Sequence, residues 1–240
     1  MQNLGFTRSS HQRDHFLLTP DTFIRAPLPG MLNATAIVHV GPIVGAGFTE
    51  YTVEMGAQGR FATGPLQTFL WVLEGAVHTR ETWLTPGQYA YLPEGSAEVI
   101  TSDQAAKVVV IEKPYLSLGD APPTAFCGDE RKVDAKPLMD DDALAVRTLL
   151  PAGTAFDFAV NTMTFQPGAS LPMVEIHVME HGLLMLEGEG IYRLNDRWYP
   201  VKAGDFIYMA PYCPQWFGAL GKKPAKYLIY KDWNRHPTTS

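Results

Sequence analysis

Seven consecutive positions, 175–181, hold Glu175, His177, Glu180 and His181 within the run VEIHVMEHGLLMLEG. Imidazoles and carboxylates at that density can ligate a divalent cation or move protons near neutral pH. The backbone decides what they can do together. In a helix, His177 and His181 stand one turn apart, and His-Val-Met-Glu-His fits the inverted zinc-peptidase pattern H-x-x-E-H. In a strand, Glu175, His177, Met179 and His181 share one face, while Val174, Ile176 and Val178 take the other.

The surroundings favour the strand. Pro172 precedes the run and Gly182, Gly188 and Gly190 follow it, all unfavourable inside a helix. The chain also repeats itself. WVLEGAVHTRETWLTPGQYAYLPEG, from Trp71 to Gly95, and MLEGEGIYRLNDRWYPVKAGDFIYMAP, from Met185 to Pro211, share one order of features. Each runs from an apolar strand through a Glu-Gly turn, a hairpin and a Trp-containing strand to a Gly turn and an aromatic strand, and the second hairpin is four residues longer. Upstream, YTVEMGAQG and NTMTFQPGAS match as alternating strands ending in glycine turns. The first-half counterpart of the histidine run is TFLWVLEG, which is plainly strand-like.

Such short runs rich in Val, Ile, Tyr and Phe, bounded by turns, predict an all-β chain of two tandem jelly-roll barrels. The modules are expected at 1–114 and 147–240. The segment 115–146 is proline-rich and acidic and reads as a linker, with at most a short helix near its end.

Composition narrows the partners. The 240 residues carry a formal net charge of −6 and no concentrated Lys/Arg run, which speaks against nucleic acid. The first residues lack the basic-then-apolar order of a secretory signal, and no apolar run approaches the ~20 residues of a membrane span. A cytoplasmic protein is expected. Two cysteines far apart, Cys127 and Cys213, give no disulfide framework, and Cys213 reads as a buried structural residue.

Two jelly-roll modules with clustered histidines resemble a bicupin. The usual cupin pattern, G-x5-H-x-H-x3,4-E-x6-G followed by G-x5-P-x-G-x2-H-x3-N, maps here onto Gly168, Glu175, His177, His181 and Gly188. Glu stands in the first His slot and His in the Glu slot; eleven residues after Gly204, the last His slot holds Gln215. The resemblance thus implies Glu175, His177, His181 and Gln215 as metal ligands. One carboxylate, two imidazoles and an amide oxygen suit octahedral Mn²⁺, Fe²⁺ or Ni²⁺ with positions left open, and the absence of thiolates disfavours a closed structural zinc site. The same slots in the first module hold Ala62, Gly64, Thr68 and Glu98, so one metal per chain is expected.

The resemblance narrows further. EIHVMEHG, EGEGIYRLNDRWYPVKAGDFIYMAPYCPQWFG and YLIYKDWNR, with HFLLTPDTFIRAPLPG near the N-terminus, are similar to the (S)-ureidoglycine aminohydrolases of allantoin catabolism. The family converts (S)-ureidoglycine to (S)-ureidoglycolate with release of ammonia and uses Mn²⁺. Its substrate contacts fall on Tyr192, Tyr227 and Lys231, beside Glu175 and Gln215, with Glu175 and Lys231 as catalytic groups. Alternation in KYLIYKDW independently puts Tyr227, Ile229 and Lys231 on one face. A cupin dioxygenase or decarboxylase acting on another small acid, or a non-catalytic metabolite-binding bicupin, remain alternatives. The expected partner is a small ureide, and homo-oligomers are expected through first-module strands.

Overall fold

The computed structural model describes residues 5–236. Among them the chain is all-β; its helical turns are the three-residue segments Pro20–Thr22, Pro42–Val44 and Glu130–Lys132. Among the described residues no helix is long and apolar enough to cross a membrane. The chain forms two compact units: Ile24–Lys132, and the segment ending at Phe23 together with the chain from Val133 onward.

In the first unit the 14-residue strand Thr49–Ala62 is shared. Its early part pairs with Leu32–Val40 and Ala106–Lys113, and its end, from Gly59, pairs with Val99–Ser102. Gln67–Glu74 lies between Ala106–Lys113 and Gln88–Leu92. The resulting curled sheet is filled by Val53, Phe61, Leu70, Val72, Ile100 and Val108, none more than 1% exposed.

The second unit closes two sheets around one core. The larger runs Ser10–His11, His15–Leu18, Phe206–Met209, His181–Glu187, Ala225–Asp232, Phe158–Phe165, Asp141–Thr148 and Lys136–Leu138; the smaller runs Arg197–Lys202, Glu189–Leu194 and Gln215–Leu220. Phe165 meets Phe217 edge-on at 4.9 Å between ring centroids and Tyr227 at 5.6 Å, so an aromatic floor joins the two sheets. The repeated Glu-Gly turn has one physical cause in both units. Gly75 and Gly188 each adopt φ +72°, and a Cβ there would collide with the backbone of Ala105 and Ala106 or of Pro224 and Ala225.

The structure redraws the predicted boundaries. The N-terminal strand His15–Leu18, expected in the first module, pairs with Phe206–Met209 of the second and covers an edge that would otherwise be open. Arg8 fastens this strap through a two-pronged pair with the fully buried Asp205, at 2.6 and 2.8 Å. The expected linker over 115–146 contributes strands to both units. Phe126–Asp129 pairs with Gln88–Leu92 in the first unit, whereas Lys136–Leu138 and Asp141–Thr148 pair with each other in the second. The segment's end, where at most a short helix was expected, is the strand Asp141–Thr148, and the helical turn within the segment is Glu130–Lys132. Proline and acidic residues mark edges here, because an edge strand tolerates a missing donor and exposed charge.

The histidine run is not helical: Glu175 makes an isolated bridge, the chain bends at Val178–Met179, and the ladder strand begins only at His181. Ahead of it the chain is held by backbone bonds at two points and, at Glu180, by its N–H donating to Asp232 Oδ1 at 2.7 Å. Glu175 and Gln215 exchange backbone hydrogen bonds of 2.8 and 2.9 Å, and the Tyr212 amide donates to the His177 carbonyl at 2.7 Å.

Candidate active site

That tethered segment keeps the alternation of a strand. Glu175, His177, Met179 and His181 face a cavity of about 290 Å³ in the second unit, whereas Ile176, on the opposite side, is 62% exposed. Gln215 and Tyr192 reach the cavity from the smaller sheet, and Tyr227, Ile229 and Lys231 from alternate positions of Ala225–Asp232. All seven residues singled out in the sequence thus line one cavity. In the first unit Glu98 borders a space of only about 10 Å³, with Thr79, Glu81 and Leu92 around it.

His181 is the most telling of the seven. Its Nδ1 lies 3.4 Å from the carbonyl oxygen of Tyr230, which fixes the N–H there, while Nε2 is buried and without a protein partner. Burial, with the charges of His177 and Lys231 adding to it, pushes the imidazole down to about 3, so it is neutral at physiological pH. A neutral imidazole with one nitrogen anchored to a carbonyl and the other presenting a lone pair is arranged as a metal ligand. Beside it, His177 packs edge-on at 5.4 Å between centroids, and its Nε2 lies 3.2 Å from Glu175 Oε2. The Tyr192 hydroxyl donates to Gln215 Oε1 at 3.2 Å and leaves that carbonyl oxygen a second lone pair. The donor set therefore fits a divalent cation through its chemistry: an orphaned imidazole nitrogen, a carboxylate and an oriented amide oxygen.

Lys231 stands directly across the ladder from His181. Burial lowers its pKa, partly offset by Glu175. Among the described residues it has no carboxylate at ion-pair distance; its ammonium rests 4.5 Å from the ring centroid of Trp233. The cation is held in place without being neutralised. Tyr192 and Tyr227 are buried phenols with raised pKa values, desolvation being the main cause and the nearby Glu175 a smaller one. Among the described residues the Tyr227 hydroxyl finds only the Met163 sulfur, at 3.3 Å.

Asn161 and Thr148 also line the cavity, and neither was legible as a site residue. NTMTF looks like any half-buried strand; only the preceding module match to YTVEMG, which lacks an Asn, sets it apart. A second group of donors lies elsewhere: oxygen, nitrogen and sulfur atoms of Asp14, His15 and Cys213 fall within 4.8 Å of one another, a spacing the Glu175, His177 and His181 donors do not meet. Here, however, the donors have protein partners. His15 bonds Asp14 at 2.8 Å and Tyr199 at 2.9 Å, the other Asp14 oxygen accepts from Asn195 at 2.8 Å, and burial pushes the Cys213 thiol up to about 12. This network pins the N-terminal strap, with Cys213 as the buried structural residue the sequence suggested.

Two jelly-roll units with a donor-lined cavity in the second define a bicupin, and a cupin-domain profile matches residues 161–230. Over 242 residues, covering 97% of this chain and 80% of the relative, the sequence is 41% identical to (S)-ureidoglycine aminohydrolase of Arabidopsis thaliana. It is 32% identical over 230 residues to the Escherichia coli K12 enzyme of the same name, covering 91% of this chain and 88% of that one. The crystal structure of the Escherichia coli protein YlbA superposes with a TM-score of 0.85 at 28% identity, covering 95% of each chain. The chain belongs to the (S)-ureidoglycine aminohydrolase family.

Proposed function

We propose that the protein replaces the α-amine of (S)-ureidoglycine by hydroxyl, giving (S)-ureidoglycolate and ammonia, with one manganese ion held by Glu175, His177, His181 and Gln215. The observation that carries this reading is the pairing, across one ladder, of an orphaned buried imidazole with a cation that has no protein anion: His181 and Lys231. Bound there, the ion would act as a Lewis acid toward the amine and as a source of activated water.

The chain's own groups do the rest. Lys231 Nζ takes the substrate carboxylate, fixing which face of the carbon meets the donors. The ureido nitrogen's lone pair helps expel the amine; the C–N bond breaks, the leaving amine gains a proton, and water adds to the acylimine carbon and loses one. Glu175, a carboxylate within the donor set, carries that proton between water and amine. Tyr192 orients the Gln215 amide. The Tyr227 hydroxyl, bonded only to a weak sulfur acceptor, is free to turn toward the substrate.

Freshly generated (S)-ureidoglycine should release ammonia without oxygen uptake, and elemental analysis of washed protein should give about one ion per chain. Oxygen consumption, or two ions per chain, would contradict the reading. The protein acts as a homo-oligomer, and the first unit supplies the interface: Val38, Ile43, Trp83 and Val99 leave 45–99% of their surface exposed there. Light scattering at micromolar concentration should report more than the mass of one chain; a monomer ends this idea.

A further inference from the structure

Asn161 is a polar residue the proposed chemistry leaves unused. It lies on Phe158–Phe165, lines the cavity and is 7% exposed. Its Oδ1 is buried with no hydrogen-bond partner, and among the described residues its amide makes no other bond. Leaving a buried amide oxygen unpaired is costly, and a partner in the cavity would remove that cost. The ladder fixes its place. Asn161 is opposite Ile229 and Lys231 is opposite Ala159, so Asn161 and Lys231 are diagonal neighbours on one face, about 7–8 Å apart between backbones.

We infer that Asn161 is the specificity-determining residue for the ureido end of the ligand, its side-chain carboxamide pairing with the terminal carboxamide of a ureido acid whose carboxylate is held by Lys231. A primary carboxamide carries one acceptor and two donors, as does the –CO–NH₂ end of a ureido group, so the two can form paired N–H···O bonds in opposite directions. The diagonal spacing suits a ligand with its carboxylate at one end and its carbamoyl group at the other. Ligands that replace the terminal NH₂ by methyl leave the Asn161 oxygen unpaired and should bind less well. The inference rests on the proposed substrate class, and a test by binding separates it from turnover.

The probes are N-carbamoylglycine, which keeps carboxylate and ureido group but has no α-amine to lose, and N-acetylglycine, in which methyl replaces the terminal NH₂. Calorimetry on the metal-loaded protein should show N-carbamoylglycine binding at least about ten-fold tighter, the worth of a good hydrogen bond to an otherwise unpaired group. Asn161→Leu, similar in volume, should erase that preference while binding N-acetylglycine as well as wild type does. It should also melt no lower than wild type, because it removes an unpaired buried oxygen; a side chain kept for structure would lower Tm. Asn161→Ala should erase the preference in the same way if Leu proves too bulky. A preference that survives either folded variant, or a wild-type protein that does not discriminate, overturns the inference. Failure of wild type to release ammonia from ureidoglycine overturns the proposed reaction instead, and the analogue pair still reads Asn161.

Discussion

His181→Ala is expected to lose its metal and at least about three orders of magnitude in ammonia release, several kcal/mol of transition-state stabilisation being withdrawn with the ion. The imidazole supplies the one donor that is fully buried, neutral and already oriented by a carbonyl, so no neighbouring side chain can take its place. The fold should persist. Truncation opens a cavity beside His177, but it also removes a buried nitrogen with no protein partner, and the two effects oppose each other. Circular dichroism and elemental analysis on the same sample check both halves: native β signal, metal well below one ion per chain. Near wild-type turnover with metal still bound would show that His181 is not a ligand.

Lys231→Met should lower kcat/KM for ureidoglycine by about thirty-fold to several thousand-fold, the 2–5 kcal/mol attached to losing one partner of a desolvated charge pair. Methionine keeps the stem and can lay its sulfur against the Trp233 ring where the ammonium rested. No protein carboxylate at ion-pair distance is stranded, so Tm should move little. Metal content should not fall, since the substitution removes a positive charge near the donors. An unchanged kcat/KM would mean that the substrate carboxylate is bound elsewhere, and would remove the main reason for assigning an acid to this pocket.

Much of this architecture was legible because it is written in local pattern. The two Glu-Gly turns repeat because Gly75 and Gly188 meet the same backbone crowding, and alternation alone put Glu175, His177 and His181 on one side. Lys231 was implied by the family resemblance, and a period of two along its strand agrees with that placement. What escaped was non-local or chemically plain. Nothing in HFLL says that its partner is Phe206–Met209, since pairing across most of the chain leaves no mark on either segment. Pro137 and the aspartates near it obscured edge strands by the very composition that edges permit. Asn161 escaped for another reason: a lone amide in a strand gains meaning only once its oxygen is seen to have no partner.

The strap at the N-terminus has a consequence in time. Arg8 and Asp205 are 197 residues apart, and at roughly 5–20 residues per second a ribosome takes about 10–40 s to travel between them. During that interval the strand with Phe16 and Leu17 emerges and waits with its apolar residues uncovered, while the unit Ile24–Lys132 acquires the last of its own strands and can fold before Asp205 is made. The second unit is therefore begun before the unit Ile24–Lys132 and completed after it. Its strand His15–Leu18 waits on a tether for Phe206–Met209, and until the two meet its apolar residues are open to chaperones, proteases and other copies of the chain.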